Sequence, residues 1–169
     1  MAFGMYAASI PVYQRQLGAL SKVLEKGSAW AEAHKVDEAV LMATRMIPDM
    51  LPFSRQVQIA CRFAEESSAR LAGAEVPAAP ANAEKNLGEL RARIAAVLEG
   101  LKAHKPEQID GSEGREINLT IANNPVKLSG EQYLTGLALP NFYFHCTTTY
   151  AILRQAGVDI GKWDFLGVR

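Results

Sequence analysis

One short segment of this chain departs from helical periodicity, and that departure restricts what the whole chain can fold into. Between residues 110 and 129, the apolar residues Ile117, Leu119 and Ile121 alternate with polar ones, whereas the long stretches on either side repeat apolar residues every three or four positions. The Asn-Asn-Pro sequence at 123–125 is typical of a turn between two short strands. The sequence therefore predicts a helical chain that carries one small β-hairpin.

The first predicted helix carries a stripe of apolar residues from Ile10 to Leu24. Glycine commonly follows the end of a helix, so this helix is expected to stop at Gly27. Pro11 lies either in its first turn or in a helix that begins earlier and is kinked there. Short helical runs over residues 28–44, one of them capped by Asp37, are predicted to connect this helix to the next.

The second and third predicted helices are separated by an extended linker. The second begins at Pro48, a residue suited to a first helical turn, and stops at Gly73. Alanines and spaced prolines over residues 75–80 favour extended backbone. The third helix then starts near Asn82 and is ended by Pro106.

The fourth predicted helix follows the hairpin. Ser129 and Gln132 have the spacing of a capping box, and the helix they open is expected to break or kink near Gly136 because of Pro140, then to stop at Gly157. Four long helices without an internal repeat or a parallel-strand pattern favour an all-α fold. We predict a single domain over residues 1–169, a four-helix bundle with the hairpin between helices 3 and 4. Irregular all-α folds are the alternative.

Charge and hydropathy exclude several classes of partner. The 18 basic residues balance the 18 acidic ones, so the chain lacks the positive field that drives binding to nucleic acids or anionic membranes. No stretch reaches the roughly 18 apolar residues that span a bilayer, and the start of the chain lacks the regions of a leader. Cys61 and Cys146 have no zinc-like or disulfide-scaffold spacing, which fits a reducing compartment. We predict a cytoplasmic protein with neither a nucleic-acid nor a membrane partner.

The densest group of hydrogen-bonding side chains falls in the fourth helix, over residues 140–150. Helical spacing places Asn141, His145 and Thr148 on neighbouring turns of one face, among bulky aromatic residues. An amide, an imidazole and a hydroxyl in an apolar wall are typical of a small-molecule pocket. Alternatively, His145 is a core histidine bonded to a backbone carbonyl. A polar cavity that reaches His145 favours the first interpretation, and a solid core favours the second.

The supply of ligands argues against a tight transition-metal site. Open catalytic zinc sites use three protein ligands, normally His, Cys or carboxylate, and the chain has three histidines. His34 and His104 lie near helix ends beside lysines, where a solvated surface is expected. We therefore predict no cofactor, and any divalent metal would have to involve His145. The companions available to it are Asp49, Gln56 and Cys146, of which the amide is a poor ligand.

Other catalytic machinery is absent from the sequence. There is no glycine-rich dinucleotide or P-loop motif, no paired-histidine zinc motif and no nucleophile elbow. The adjacent carboxylates Glu65 and Glu66 lie beside Ser67 and Ser68 on a polar helix face, and we expect them to be solvated surface rather than a catalytic dyad. The residues thus indicate a fold without assigning a reaction.

Several strings of residues along the chain carry a resemblance. They are LPNFYFH at 139–145, TT at 147–148, YAILR at 150–154, PDM at 48–50, QVQIA at 56–60, IDG at 109–111, GV at 157–158, IGK at 160–162 and DFLG at 164–167. On these strings the chain resembles, over nearly its full length, a bacterial family of unknown function. That family belongs to the DinB/YfiT-like superfamily of metal-dependent four-helix bundles.

The resemblance implies a DinB-like bundle. In the wider superfamily it implies a divalent metal held by three histidines, one on the second helix and two, four residues apart, on the last; some members are thiol-dependent transferases or isomerases. By motif position His145 matches the second histidine of the last helix and Asn141 stands at the first, while the second helix has no histidine. The superfamily triad is therefore incomplete. The resemblance also implies a homodimer. The many apolar residues spread around the first and fourth helices support the same prediction.

Three functional hypotheses follow. In the first, which we favour, the chain binds a small molecule between the second and fourth helices around His145, with Asn141, Gln56, Asp49 and Thr148 as further ligand-binding residues. In the second it is a metal-dependent thiol transferase or isomerase. In the third it is a structural or regulatory dimer without catalysis. The tail after Gly157 is expected to be ordered against the bundle or a second subunit, because it carries large apolar side chains.

Overall fold

The computed structural model describes residues 4–168. Residues 1–3, part of the start predicted to lack a leader, and Arg169, the end of the predicted tail, lie outside the described residues. No helix of the described part is both long and apolar enough to cross a membrane. In chain order the elements are α1 (Met5–His34), α2 (Glu38–Ala43), α3 (Phe53–Ala72), α4 (Leu87–Lys102), α5 (Pro106–Ile109), β1 (Glu116–Ile121), β2 (Asn124–Ser129), α6 (Gly130–Tyr133), a π-helical turn (Leu134–Ala138), α7 (Leu139–Ala156) and α8 (Lys162–Phe165).

Four long helices form the bundle. Helix α1 packs against α4, α4 against α3, α3 against α7, and α7 back against α1, which closes the ring. The apolar stripes predicted for the helices face its interior, where the Tyr13 and Phe142 rings meet edge to face at 4.8 Å. The predicted all-α bundle with an inserted hairpin is confirmed, and the four predicted helices correspond to α1, α3, α4 and the α6–α7 pair.

Helix α1 is longer than its sequence predicted, because Gly27 does not end it. It begins at Met5, so Pro11 lies inside a helix that started earlier, and it continues to His34. A Cβ atom on Gly27 would come within 2.9 Å of the Leu87 side chain and 3.2 Å of the Leu153 side chain. Gly27 therefore permits the close approach of α1 to α4 and α7 and has no role in terminating the helix.

The ends of α3 and α4 also differ from prediction. Helix α3 starts at Phe53, after Pro52, and not at Pro48. Helix α4 starts at Leu87, where the Asn86 side chain accepts a hydrogen bond from the Glu89 N–H at 2.8 Å. Its end at Lys102 precedes Pro106, which instead opens α5, because proline at a first helical position forgoes no intrahelical hydrogen bond.

The hairpin forms as predicted, but its turn lies one residue earlier. Ala122 and Asn123 connect the strands with positive φ angles of 48° and 66°, as a two-residue hairpin turn with the favoured twist requires. Pro125, expected in the turn, lies in β2 opposite Thr120.

The segment from α6 to α7 is continuous where a break was expected. Ser129 and Gln132 form the predicted capping box. Pro140 has no N–H with which to form a regular helical hydrogen bond. The wide π-helical turn just before it keeps the helix continuous, because the Leu139 N–H donates to the Leu134 carbonyl, five residues earlier. Gly157 ends α7 with a φ of 104°, a conformation that other residues rarely adopt.

The tail packs on α1 through α8. The Gln16 amide donates to the Phe165 carbonyl at 3.0 Å, and the Lys26 ammonium lies 2.6 Å from the Asp164 carboxylate, which is 9% exposed. Phe165 is half-buried against the Tyr150 ring. Trp163, expected to leave water with it, remains 50% exposed. The described part of the tail is thus anchored by polar contacts as much as by apolar ones.

We expect Gly27→Ala to lower the free energy of unfolding, by on the order of 1 kcal/mol, since the added methyl group overpacks the contact with Leu87 and Leu153. Gly18→Ala is the matched control on the same helix. A Cβ there meets nothing within 4 Å, so its higher helix propensity should raise stability by about 0.5–1 kcal/mol. Chemical denaturation of both variants measures the difference. Equal stabilisation by both would contradict the packing role of Gly27.

Candidate functional site

The sequence's principal candidate, His145, lies at the contact between α7 and α3. Its side chain is 8% exposed, and its Nδ1 atom is 2.6 Å from the Oε1 atom of Gln56 on α3. Gln56 is itself buried. The structure thus brings together two of the predicted site residues, His145 and Gln56. Their contact joins the second and fourth predicted helices.

The hydrogen bonds of Gln56 settle which nitrogen of His145 carries the proton. The Gln56 Nε2 group donates to the Leu51 carbonyl at 2.9 Å, which leaves Oε1 to act as the acceptor toward His145. Nδ1 must then hold the proton and donate it. The Nε2 atom of His145 keeps a free lone pair, has no hydrogen-bond partner among the described residues, and retains contact with solvent. An imidazole fixed in this tautomer is an oriented acceptor and base.

Aromatic rings surround this imidazole on two sides. Phe63 of α3 stacks on it at a centroid distance of 6.2 Å and an interplanar angle of 20°, and the Phe144 ring meets it edge-on at 5.2 Å. Burial lowers the pKa of His145 to about 4. The ring is therefore neutral at physiological pH, so Nε2 is free to accept a hydrogen bond, whereas burial opposes its protonation.

The other predicted site residues do not converge on the imidazole. Asn141 donates from its Nδ2 group to the Leu137 carbonyl at 2.8 Å, and Thr148 donates to the Phe144 carbonyl at 2.8 Å. Each is thus bonded within its own helix, and the two line different cavities. Asp49 is exposed in the segment between α2 and α3 and makes no hydrogen bond to His145.

One cavity lies between α3, the π-helical turn, α7 and the hairpin; we call it the hairpin cavity. Its volume is about 400 Å³. Phe63, which stacks on His145, and Asn141, one turn before His145, both line it. Glu66 and Arg70 add charged groups, with 3.6 Å between the Arg70 guanidinium and the Glu66 carboxylate. The remaining walls are Tyr133, Leu137 and residues 119–122.

A second, more apolar cavity lies on the outer side of α7. Its volume is about 360 Å³, and Met46 and Met50 close it from the segment before α3. We call the α7 residues that line it the α7 outer face: Tyr143, Phe144, Thr147, Thr148 and Ala151. This face carries no charged side chain.

The residues around His145 do not fit the metal that the superfamily resemblance implies. Across residues 4–168, no three His, Cys, Asp or Glu side chains are grouped so that they could hold a metal ion. Gln56 uses its oxygen to accept from Nδ1, and Asn141 offers only an amide. Three protein ligands of the usual types are therefore not assembled here.

The two cysteines do not supply a reactive thiol. Cys61 and Cys146 are both free and fully buried. Burial raises the pKa of Cys61 to about 12 and raises that of Cys146 well above its ordinary value. Neither is a thiolate near neutral pH, so neither is an activated nucleophile.

The sequence did not indicate most of the hairpin cavity. Sequence patterns singled out none of Phe63, Arg70 and Tyr133, and Glu66 was expected to be solvated. These residues meet only because the hairpin folds back over α3, a contact between positions about fifty residues apart that no local pattern reports: the Arg70 guanidinium donates to the Asn118 carbonyl at 3.3 Å.

Comparison with known proteins finds similarity to a family of unknown function and to a solved structure. Residues 5–166 match the model of a domain of unknown function, DUF1993. A crystal structure of a DinB family member protein from Shewanella denitrificans is 36% identical, with a TM-score of 0.86, over 96% of this chain and 91% of that one. A search of curated proteins finds no match.

We expect NMR titration to find the His145 ring neutral, with the proton on Nδ1, down to about pH 5.5, because its pKa lies at about 4. The unfolded chain, with a histidine pKa of about 6.5, takes up the proton first. The stability that depends on neutral His145 is therefore complete above about pH 6.5 and is lost as the pH falls toward 4. Imidazole nitrogen and carbon shifts report both the tautomer and the pKa.

Two variants of Gln56 serve as controls for this assignment. Gln56→Glu places a carboxylate beside Nδ1 and should raise the pKa of His145. Gln56→Met removes the acceptor at similar volume and should remove the tautomer preference. A wild-type ring protonated on Nε2, or one that titrates near pH 6.5, would contradict the assigned hydrogen bond.

Proposed function

The chain belongs to the DUF1993 family of unknown function and has a DinB-like bundle fold, and on that premise we propose that it binds a small molecule beside His145, between α3 and α7, without a transition metal. The observation that carries this proposal is the oriented imidazole. Leu51 and Gln56 fix its tautomer through two successive hydrogen bonds. A neutral imidazole that keeps one lone pair free is suited to accepting a hydrogen bond from a donor on a ligand.

The hairpin cavity is the proposed place of the ligand. Its volume of about 400 Å³ falls within the range of small-molecule pockets, about 300–1,000 Å³. Phe63 supports the assignment, because the same ring lines the cavity and stacks on His145. Burial raises the pKa of Tyr133 to about 12, so its hydroxyl stays protonated and can donate to a ligand. The wall thus combines donors, acceptors and apolar surface.

The alternative of a metal-dependent thiol transferase or isomerase has less support. It needs three ligands where the surroundings of His145 offer one imidazole and two amides. It also needs an accessible sulfur from a cosubstrate, since both cysteines of the chain are buried. Recognition of a ligand's hydrogen-bond donor by Nε2 needs neither.

A second candidate function is self-association through the α7 outer face, which would make the protein a homodimer. Tyr143 and Phe144 are 40% and 53% exposed on a helix whose only formal charge is Arg154, near its end. Aromatic residues and methionine are enriched, and charges depleted, in the centres of protein interfaces. An uncharged surface on a chain without net charge has no preference for a charged partner, whereas a second copy of itself matches it.

Ligand binding is tested by screening a fragment library of cationic, anionic and uncharged members with ligand-observed NMR. We expect hits that compete with one another and that are weakened at least tenfold by His145→Gln and by Thr120→Trp, which fills the mouth of the hairpin cavity from an exposed position. Asn118→Trp, exposed on the same strand but outside the lining, is the matched control. Hits unaffected by both test variants would refute the proposed site.

The absence of a metal is tested separately. Protein purified without an affinity tag is analysed for its elements, then titrated with zinc, nickel and manganese alongside His145→Ala. We expect no stoichiometric metal and the same weak binding by both proteins. One metal per chain, lost in the variant, would overturn this part of the proposal and favour the metalloenzyme.

Self-association is tested by sedimentation at micromolar concentration. We expect a dimer that Phe144→Asp converts to a monomer, because a carboxylate buried without a partner in an apolar interface is costly. Trp163→Asp, at the equally exposed aromatic of α8, is the matched control and should leave the dimer intact. A wild-type monomer, or dissociation by the control alone, would refute an interface at the α7 outer face.

A further inference from the structure

A third cavity lies away from His145, between the C-terminal halves of α3 and α4 and the segment that follows α3. We call it the linker cavity; its volume is about 190 Å³. Ala69, Val97 and Leu101 form apolar walls, and Pro77 closes it from the linker. Its polar lining consists of Glu65, Glu75 and His104.

Glu65 is the unusual member of this lining, since its Oε2 atom is cut off from solvent and has no hydrogen-bond partner. The sequence predicted a solvated side chain here, whereas the structure holds Glu65 partly buried. Burial raises its pKa, although nearby arginines oppose the shift. A buried acceptor without a donor is unfavourable. Glu65 also lines the linker cavity, so a donor held there lies beside this carboxylate.

The two arginines near Glu65 form ion pairs with other carboxylates. Arg62 pairs with Glu66 and donates to the Pro77 carbonyl at 2.7 Å. Arg93 pairs with Glu84 at 2.9 Å. Neither donates a hydrogen bond to Glu65, and the Nε atom of Arg93 is itself buried without a partner, so the Glu65 carboxylate has no counterion in hydrogen-bond contact.

The charge of the lining favours a cation. It contains two carboxylates and no lysine or arginine. His104 adds no positive charge, because burial lowers its pKa below the ordinary value. A ligand that matches this wall must supply hydrogen-bond donors and positive charge at one end, and it must leave an apolar remainder against the alanine, valine and leucine side chains.

We propose that the linker cavity binds a short primary alkylammonium ion, whose charged group is hydrogen-bonded by the Glu65 carboxylate. The volume sets the size of the alkyl chain. At about 30 Å³ for each water-sized group, 190 Å³ accommodates roughly six non-hydrogen atoms. A four- or five-carbon amine fits that space, with its chain along Val97 and Leu101.

This site is independent of the one proposed at His145. Glu65 and Ala69 point toward α4, whereas Phe63, Glu66 and Arg70 of the same helix line the hairpin cavity. Either site can therefore be lost without the other. The outcome of one experiment does not decide the other.

The test is a titration with n-butylammonium, followed by the methyl signals of Ala69, Val97 and Leu101 in NMR spectra. n-Butanol and butyrate are the comparison probes, since they keep the chain and change the head group. We expect saturable shifts confined to these methyl groups with the ammonium, and at least tenfold weaker binding of the alcohol and the anion. The proposal would be overturned if tens of millimolar n-butylammonium shifted none of these methyl signals, or if n-butanol bound equally well.

Three variants sharpen the test. Glu65→Gln keeps the shape and removes the charge, and it should weaken butylammonium at least tenfold. Gly100→Leu should block the cavity: Gly100 lines it, a Cβ there meets nothing within 4 Å, and leucine suits a helix better, so the fold is preserved. Glu99→Gln, an exposed carboxylate of α4 outside this lining, is the matched control. Equal affinity in wild type and Glu65→Gln would refute the role of Glu65.

Discussion

The hydrogen bond between His145 and Gln56 is the one polar side-chain contact described between α7 and α3, and the packing of the two helices is arranged around it. The other buried hydrogen-bonding side chains of α7 satisfy themselves: Thr148 and Thr149 each donate to the carbonyl four residues earlier. Ser67 and Ser68 do the same in α3. Such local bonds leave the helix faces apolar toward their neighbours. Only the imidazole has a hydrogen-bond partner across this interface.

The same hydrogen bond holds His145 in the way a metal-ligating histidine is held, although no further ligands lie beside it among the described residues. In metal sites a ligating histidine commonly donates its second N–H to a fixed acceptor, which holds the ring in place. Here Gln56 supplies that acceptor, and Leu51 in turn holds Gln56. The companion ligands are lacking. The chain thus retains an oriented imidazole whose remaining nitrogen lacks a metal site, and this neutral ring can offer a hydrogen-bond acceptor.

Periodicity was enough to predict the bundle, because apolar spacing over four long segments has few other solutions. Errors arose where one residue type serves two purposes. Gly27 marks close packing and not a helix end, and Pro106 begins a separate short helix, α5, after α4 has already ended at Lys102. At the site, the link from His145 to Gln56 was predictable from two helices that had to face each other. The positions of Glu65 and Arg70 in their cavities could not be predicted from the sequence, since they depend on how the linker and the hairpin fold back over α3.

The wide turn at Leu134–Ala138 has a geometric consequence for the site. Successive residues of an α-helix are rotated by about 100°, since 3.6 of them complete a turn. The extra residue accommodated by the π-helical turn therefore sets the angle at which α7 leaves the capping box at Ser129. If the same residues wound as uninterrupted α-helix, His145 would swing by about a quarter turn away from Gln56. The direction in which His145 leaves the helix axis is thus set by the backbone conformation several residues before it.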